Sequence, residues 1–165
     1  MLHLRPIQPE DNAAVARLIK TVMTEFHCTG DGYSINDPEL ADMFSAYTEA
    51  RSAFFVLVDS HQQIVGAGGY APLHASGPEV CELRKMYLLP DVRGHGGGKQ
   101  LLEHCLAEAG RDGFSKMYLE TVAGMTTAAK LYAKYGFTPL DAPLGHTGHS
   151  ACDRYMIRDL TPSAP

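Results

Sequence analysis

Apolar residues recur along this chain in two rhythms, and each change of rhythm marks an element. Leu2–Ile7, its end marked by Pro6 and Pro9, reads as a short strand. From Asp11, a candidate N-cap, Ala14, Val15, Leu18, Ile19 and Val22 fall on one helical face, and the helix should end near Glu25. Phe26–Asn36, with Gly30 and Gly32, reads as a loop. Asp37-Pro38-Glu39 supplies a cap, a proline at the first helical position and a first-turn acid. It predicts a second, short helix with Leu40, Met43, Phe44 and Tyr47 inward. Ala53–Asp59 is a continuous apolar run, a buried strand. After a turn at Ser60–Gln63, Ile64–Leu73 should pair with it as a hairpin, and its Gly66, Gly68 and Gly69 signal a bulge or another group lying close.

Beyond a loop at His74–Glu79, Cys81–Leu89 reads as a strand. It runs into Asp91-Val92-Arg93-Gly94-His95-Gly96-Gly97-Gly98-Lys99. Leu101, Leu102, Cys105, Leu106 and Ala109 then give an amphipathic helix, closed by Gly110 or Gly113. Lys116–Thr121 is a short strand. A helix over Thr126–Tyr135 follows, with Ala128, Leu131, Tyr132 and Tyr135 on its inner face and Gly136 as C′ glycine. Strands at Phe137–Leu140 and Arg154–Ile157 flank a long loop, Asp141–Ala151. The order β-α-α-β-β-β-α-β-α-β-β defines an α/β (α+β) chain with a mixed sheet of about seven strands.

Composition narrows the classes. At 165 residues, residues 1–160 suffice for one self-sufficient domain, with 161–165 expected to fray. A net charge of −5 with interspersed signs argues against a nucleic-acid partner. No apolar run approaches the roughly 20 residues of a membrane span, and the start lacks a signal-peptide pattern, so the expectation is a cytoplasmic protein. Cys28, Cys81, Cys105 and Cys152 form no CxxC pair and read as reduced thiols.

The glycine stretch between a strand and a helix is an anion cradle, because the first N–H groups of a helix lack intrahelical partners and carry the positive end of its dipole. A Walker A loop fails, since Arg93 stands where its first glycine belongs and Gln100 follows Lys99. A dinucleotide fingerprint fails at Lys99, where the third glycine should be. What remains is Arg93-x-x-Gly96-x-Gly98. That loop, with Glu82-Leu83-Arg84-Lys85-Met86-Tyr87-Leu88 before it and Ala128-x-x-Leu131-Tyr132-x-Lys134-x-Gly136-Phe137 after it, resembles the GNAT superfamily of acetyl-CoA-dependent N-acetyltransferases. Nearly the whole chain shares the resemblance. Gly145-His146-Thr147-Gly148-His149 through Cys152 is similar to the ending of a group of small bacterial GNAT proteins.

The resemblance implies a GNAT fold and acetyl transfer from acetyl-CoA to a primary amine within a ternary complex. It assigns the cofactor's pyrophosphate to backbone N–H groups of Arg93, Gly94, His95, Gly96, Gly97, Gly98 and Lys99. Arg93 and Lys99 would add charge, and Lys99 reads equally as a solvated side chain. Met86, Tyr87 and Leu88 would pair with the pantetheine arm, and the N–H of Tyr87 or Leu88 would polarise the thioester carbonyl. Tyr132 is the expected general acid, since a phenol with a reference pKa of about 10 stays protonated at neutral pH. Glu82 is the expected base, or else the partner of Arg84; His146 and His149 are alternative bases. Met125 stands where many relatives carry an asparagine that touches pantetheine, which leaves acyl preference open.

The acceptor would enter between Phe26–Ile35 and Asp141–Ala151, with Phe26, Tyr33, His146 and His149 lining its path. These mixed polar groups suit a small amino-acid-like amine. A non-catalytic CoA-binding module and a protein amine as acceptor are the alternatives. His146, His149 and Cys152 do not have the spacing of a closed zinc site, so no metal is expected. Homodimers are common among the proteins this chain resembles.

Overall fold

The computed structural model describes residues 1–160; the tail expected at 161–165 lies outside the described residues. Seven strands form one mixed sheet: β1 (His3–Pro6), β2 (Ala53–Val58), β3 (Ile64–Pro72), β4 (Val80–Leu88), β5 (Lys116–Thr121), β6 (Thr138–Leu140) and β7 (Arg154–Asp159). Their spatial order is β1-β2-β3-β4-β5-β7-β6, antiparallel throughout except for the central β4–β5 pair. Helices α1 (Asn12–Glu25) and α2 (Met43–Ala46) cover one face; α3 (Gly97–Arg111) and α4 (Thr126–Lys134) cover the other.

The unbroken apolar run in β2 follows from this sandwich. Phe54, Val56 and Val58 pack with Val15, Leu18, Ile19 and Val22 of α1, while Phe55 and Leu57 pack with Leu101, Leu102 and Cys105 of α3. A strand buried on both faces has no polar side to show. α3 and α4 both end as the glycines predict. Gly113 (φ +87) and Gly136 (φ +85) adopt left-handed conformations, and the N–H groups of Phe114 and Phe137 reach back to the carbonyls of Ala109 and Tyr132.

The second helix is shorter than predicted. Pro38–Ala41 is a 3-10 turn, and α2 starts afresh at Met43, capped by the Asp42 carboxylate, which accepts the Ser45 N–H. Asp37 does not cap with its side chain, and neither does Asp11. Asp11 instead holds the Arg5 guanidinium through two bonds of 2.7 and 2.9 Å. That partner holds its carboxyl below the usual range against the opposing effect of burial.

Two features of β4 create the functional opening. It pairs with β5 only from Val80 to Glu82, opposite Lys116 to Tyr118. Beyond that fork β4 follows β3 while β5 follows β7, and the sheet splays. The β3–β4 ladder also carries the expected bulge: Gly69 faces Arg84 and Ala67 faces Tyr87, so Lys85 and Met86 together oppose Gly68. Lys85 takes a left-handed φ of +51, which is uncommon outside glycine. The crowded side is glycine because nothing else fits: a Cβ on Gly69 would lie 2.3 Å from the Ala53 carbonyl oxygen. Gly69→Ala is therefore expected to lose about 2–3 kcal/mol of stability, read as a lower urea midpoint at unchanged slope. A wild-type midpoint would show that the strands can part without cost.

Candidate active site

The loop before α3 divides its glycines between two tasks. Gly94 (φ +77) and Gly96 (φ +84) are left-handed, and the space where their Cβ atoms would stand is open. Gly97 is buried, and a Cβ there would lie 2.8 Å from a Leu88 methyl, so its absence lets α3 sit down on the sheet. The first intrahelical bond runs from the Gln100 N–H to the Gly96 carbonyl at 3.0 Å. The N–H groups of Gly97, Gly98 and Lys99 thus head the helix. The Arg93 N–H is spent on the Pro90 carbonyl.

Arg93 is placed differently from the free cation the sequence suggests. Its guanidinium donates to both Glu25 oxygens at 2.6 and 2.7 Å and to the Leu88 carbonyl at 3.0 and 2.8 Å. It ties the end of α1 to the end of β4, and its hydrogen bonds, helped by its charge, hold the Glu25 carboxyl below its ordinary value. Lys99 is mostly exposed, 3.9 Å from Glu103.

A cleft of about 590 Å³ lies above this loop. Every residue expected to touch the cofactor lines it except His95 and Gly97. Phe26, expected on the acceptor side, lines this cleft too, with Arg93 5.4 Å from its ring. The opposite wall was not anticipated: Gly124, Thr126, Thr127 and Lys134, from the start and outer edge of α4. Lys134 is exposed and stands on the rim of the cleft. The Leu89 N–H donates to Val65 at 2.9 Å. Strand alternation therefore turns the polar groups of Leu88 away from β3 and into the gap, where its carbonyl takes Arg93. Of the two backbone donors the sequence offered, Leu88 faces the opening and Tyr87 faces β3.

Below the cleft, where β4 and β5 part, is a smaller chamber that shares Met86, Tyr87, Met125 and Ala128 with it. Tyr132 and Glu82 both line this chamber, as do Tyr33 and His149. Tyr132 is 6 % exposed and edge-on to Phe137 at 5.8 Å. Burial pushes its phenol well above the usual value. Among the described residues its hydroxyl makes no hydrogen bond, yet no side-chain polar atom is sealed from solvent without a partner. The hydroxyl must therefore reach the chamber.

Glu82 sits at the fork itself, the last β4 residue paired with β5. It bonds Arg84, as one of its two sequence readings expects, and keeps one oxygen free of that bond. One oxygen accepts the Arg84 Nε–H at 2.6 Å; the other has no partner among the described residues and, by the same reasoning, opens into the chamber. Burial raises the Glu82 carboxyl and outweighs the opposing charge and hydrogen bond of Arg84.

A third space of about 360 Å³ adjoins the chamber and shares Glu82, Arg84, Lys85 and His149 with it. His146 lines only this outer cavity. The buried Lys85 ammonium is held by Asp37 at 2.6 Å and by Glu39. Asp37 also receives the His149 Nε2, at 2.8 and 3.0 Å. Burial alone would raise the Asp37 carboxyl, but His149 and Lys85 hold it below its ordinary value. Glu120, on the wall of the inner chamber, accepts the hydroxyls of Tyr118 and Thr147. The two loops expected to flank the acceptor do meet: a Cβ on Gly32 (φ +81) would strike Ser150 and Ala151. His146, His149 and Cys152 do not converge. Among the described residues no three His, Cys, Asp or Glu side chains are grouped to hold a metal ion.

Comparison with known proteins agrees with this geometry. Residues 17–137 match the acetyltransferase (GNAT) family. An N-acetyltransferase of Escherichia coli, YjgM, itself uncharacterized, is 40 % identical over 158 residues, covering 95 % of this chain and 94 % of its own. A GNAT-family acetyltransferase from Staphylococcus aureus Mu50 superposes with a TM-score of 0.87 at 21 % identity, over 98 % of this chain and all of its own. The yncA acetyltransferase of Salmonella typhimurium, solved with its cofactor acetyl-CoA, superposes with a TM-score of 0.75 at 19 % identity, over 100 % and 97 %. The chain belongs to the GNAT family and is an acyltransferase of the N-acetyltransferase type. No helix among its described residues is long and apolar enough to cross a membrane.

Proposed function

We propose that the protein moves an acetyl group from acetyl-CoA to the primary amine of a small, amino-acid-like molecule, by direct attack in a ternary complex. One observation carries this reading. β4 and β5 separate immediately after Glu82, and the opening joins a glycine-lined cleft on one side to a polar cavity on the other. The cleft fits the cofactor at both ends. Gly94 and Gly96 leave room for a diphosphate against the N–H groups that head α3, and Met86, Leu88, Met125 and Leu131 offer an apolar wall to a pantetheine arm. When bound, acetyl-CoA supplies an acetyl group already activated as a thioester.

The chain's own groups do the rest. The Leu88 N–H is the donor available to a carbonyl lying along the open edge of β4. The open Glu82 oxygen takes a proton from the incoming amine, and the Tyr132 hydroxyl holds the proton a departing sulfur needs. A second reading of the base rests on His149, whose Nε2 is fixed by Asp37 so that Nδ1 is its free acceptor.

The experiment is acetyl-CoA turnover against a panel of small amines, with release of free CoA as readout. Turnover on small amines is the expected result. Binding of acetyl-CoA with no turnover on any member would instead favour the non-catalytic module. Turnover only on protein or peptide amines would move the acceptor to a macromolecule.

A further inference from the structure

We propose that the acceptor carries a carboxylate beside its amine, and that this carboxylate docks in the outer cavity on Arg84, His74 and His146. The proposal rests on the reading of that cavity as the acceptor's entrance and names the chemistry that it selects.

The argument is which polar groups in the cavity are already engaged. Its carboxylates are turned to internal partners. Asp37 serves Lys85 and His149, Glu39 serves Lys85 and the Tyr47 hydroxyl, and one oxygen of Glu82 serves Arg84. Lys85, with a side chain 2 % exposed, is spent in return. A diamine or polyamine entering here would meet open carboxylate oxygens only on Glu82 and on Glu39, and the other Glu39 oxygen already takes the buried Lys85 ammonium.

Donors, by contrast, are left over. Of the five N–H groups of a guanidinium, Arg84 gives Nε–H to Glu82 and one Nη2–H to the Pro72 carbonyl at a long 3.3 Å. Its remaining N–H groups meet no carboxylate or carbonyl acceptor among the described residues; their protein neighbour is the Tyr47 hydroxyl, which itself donates to Glu39. A planar fork with a free edge is the group best shaped for a carboxylate. Across the cavity stand two imidazoles, His74 and His146, edge to face with ring centres 6.3 Å apart. Their approach is built in. The His146 N–H donates to the His74 carbonyl at 2.8 Å. The residue before it, Gly145, has φ +62, and a Cβ there would lie 2.6 Å from that same carbonyl oxygen. Only glycine lets the C-terminal loop lie this close to the loop after β3.

The cavity thus offers an open Glu82 oxygen to an ammonium and N–H donors of Arg84, His74 and His146 to a carboxylate. Its volume of about 360 Å³ is enough for a single amino acid. A zwitterion satisfies both kinds of group, and a plain amine satisfies one.

The test uses matched acceptors: free amino acids, their amides and methyl esters, and the corresponding decarboxylated amines, each with acetyl-CoA and CoA release as readout. The free acids should exceed their amides in kcat/KM by roughly ten- to a hundredfold, the range for losing a charge-assisted hydrogen bond. His146→Ala lies on an exposed loop and should fold normally. With Arg84→Lys, which keeps the charge but loses the fork, it should compress that ratio by about tenfold, mainly through KM for the acid. Equal or faster turnover of amides and decarboxylated amines would overturn the proposal while leaving the acetyl transfer standing. An undiminished ratio in both variants would overturn the assignment to these residues. Absence of CoA release from every acceptor would remove the function itself, and this inference with it.

Discussion

Replacing Tyr132 with phenylalanine lowers kcat by about a thousandfold, within the range that a positioned general acid contributes, and leaves acetyl-CoA affinity within about twofold. The expectation follows from what the hydroxyl does not do. It makes no hydrogen bond to the described residues, while the ring packs against Phe137 in the core that α3 and α4 share. Phenylalanine keeps that packing and removes one oxygen that faces the chamber, so the melting temperature should hold or rise slightly. Burial pushes the phenol well above its ordinary value, so the acid form persists across any pH at which the protein is assayed. No loss of activity on the alkaline side should trace to Tyr132. CoA release under saturating acetyl-CoA measures the first number and calorimetric titration the second. Full turnover in the variant would free Tyr132 to be core and nothing more.

The fold was legible because periodicity reports which side of an element faces a neighbour. The stripe Leu101, Leu102, Cys105 and Ala109 of α3 is buried as read, and the glycines of β3 do mark the bulge. Long-range polar pairing was less legible, because it leaves no local trace. Asp37 sits where an N-cap belongs, yet its carboxylate reaches 48 residues along the chain to Lys85. Lys85 stands beside Arg84 in the strand motif with nothing local to mark it as buried, and it is the bulge residue that takes the unusual φ. Arg93 matched a loop motif, and its guanidinium is committed to Glu25 at the end of α1, a partner no spacing could reveal. His74 carried no signal at all. It became interesting only when Gly145 brought His146 against it. What a motif encodes well is backbone, the glycine turn and the free N–H groups. What it encodes poorly is which charge has already been answered elsewhere.

Glu82→Gln separates activity from stability, and that separation is the sharpest check on the base. Glu82 is 3 % exposed, and burial raises its carboxyl despite Arg84. For a carboxyl raised in the folded state, the stability it contributes is full below its unfolded value and is lost as pH rises through its folded value. Charging Glu82 is therefore a cost that the fold tolerates. Glutamine removes that charge and keeps an oxygen for the Arg84 Nε–H, so the melting temperature should move by no more than a few degrees. Activity should not survive in the same way. With no group at the fork able to accept the amine's proton, kcat/KM is expected to fall about a thousandfold. In the wild type the acidic limb of the kcat/KM profile should lie above the ordinary carboxylate range, the direction in which Glu82 is displaced, and it should vanish from the residual activity of the variant. If His149 takes the proton instead, the outcomes trade places: Glu82→Gln keeps most of its rate and its acidic limb, and His149→Gln loses both. A side chain that only braced Arg84 would show neither signature, because glutamine braces it equally well.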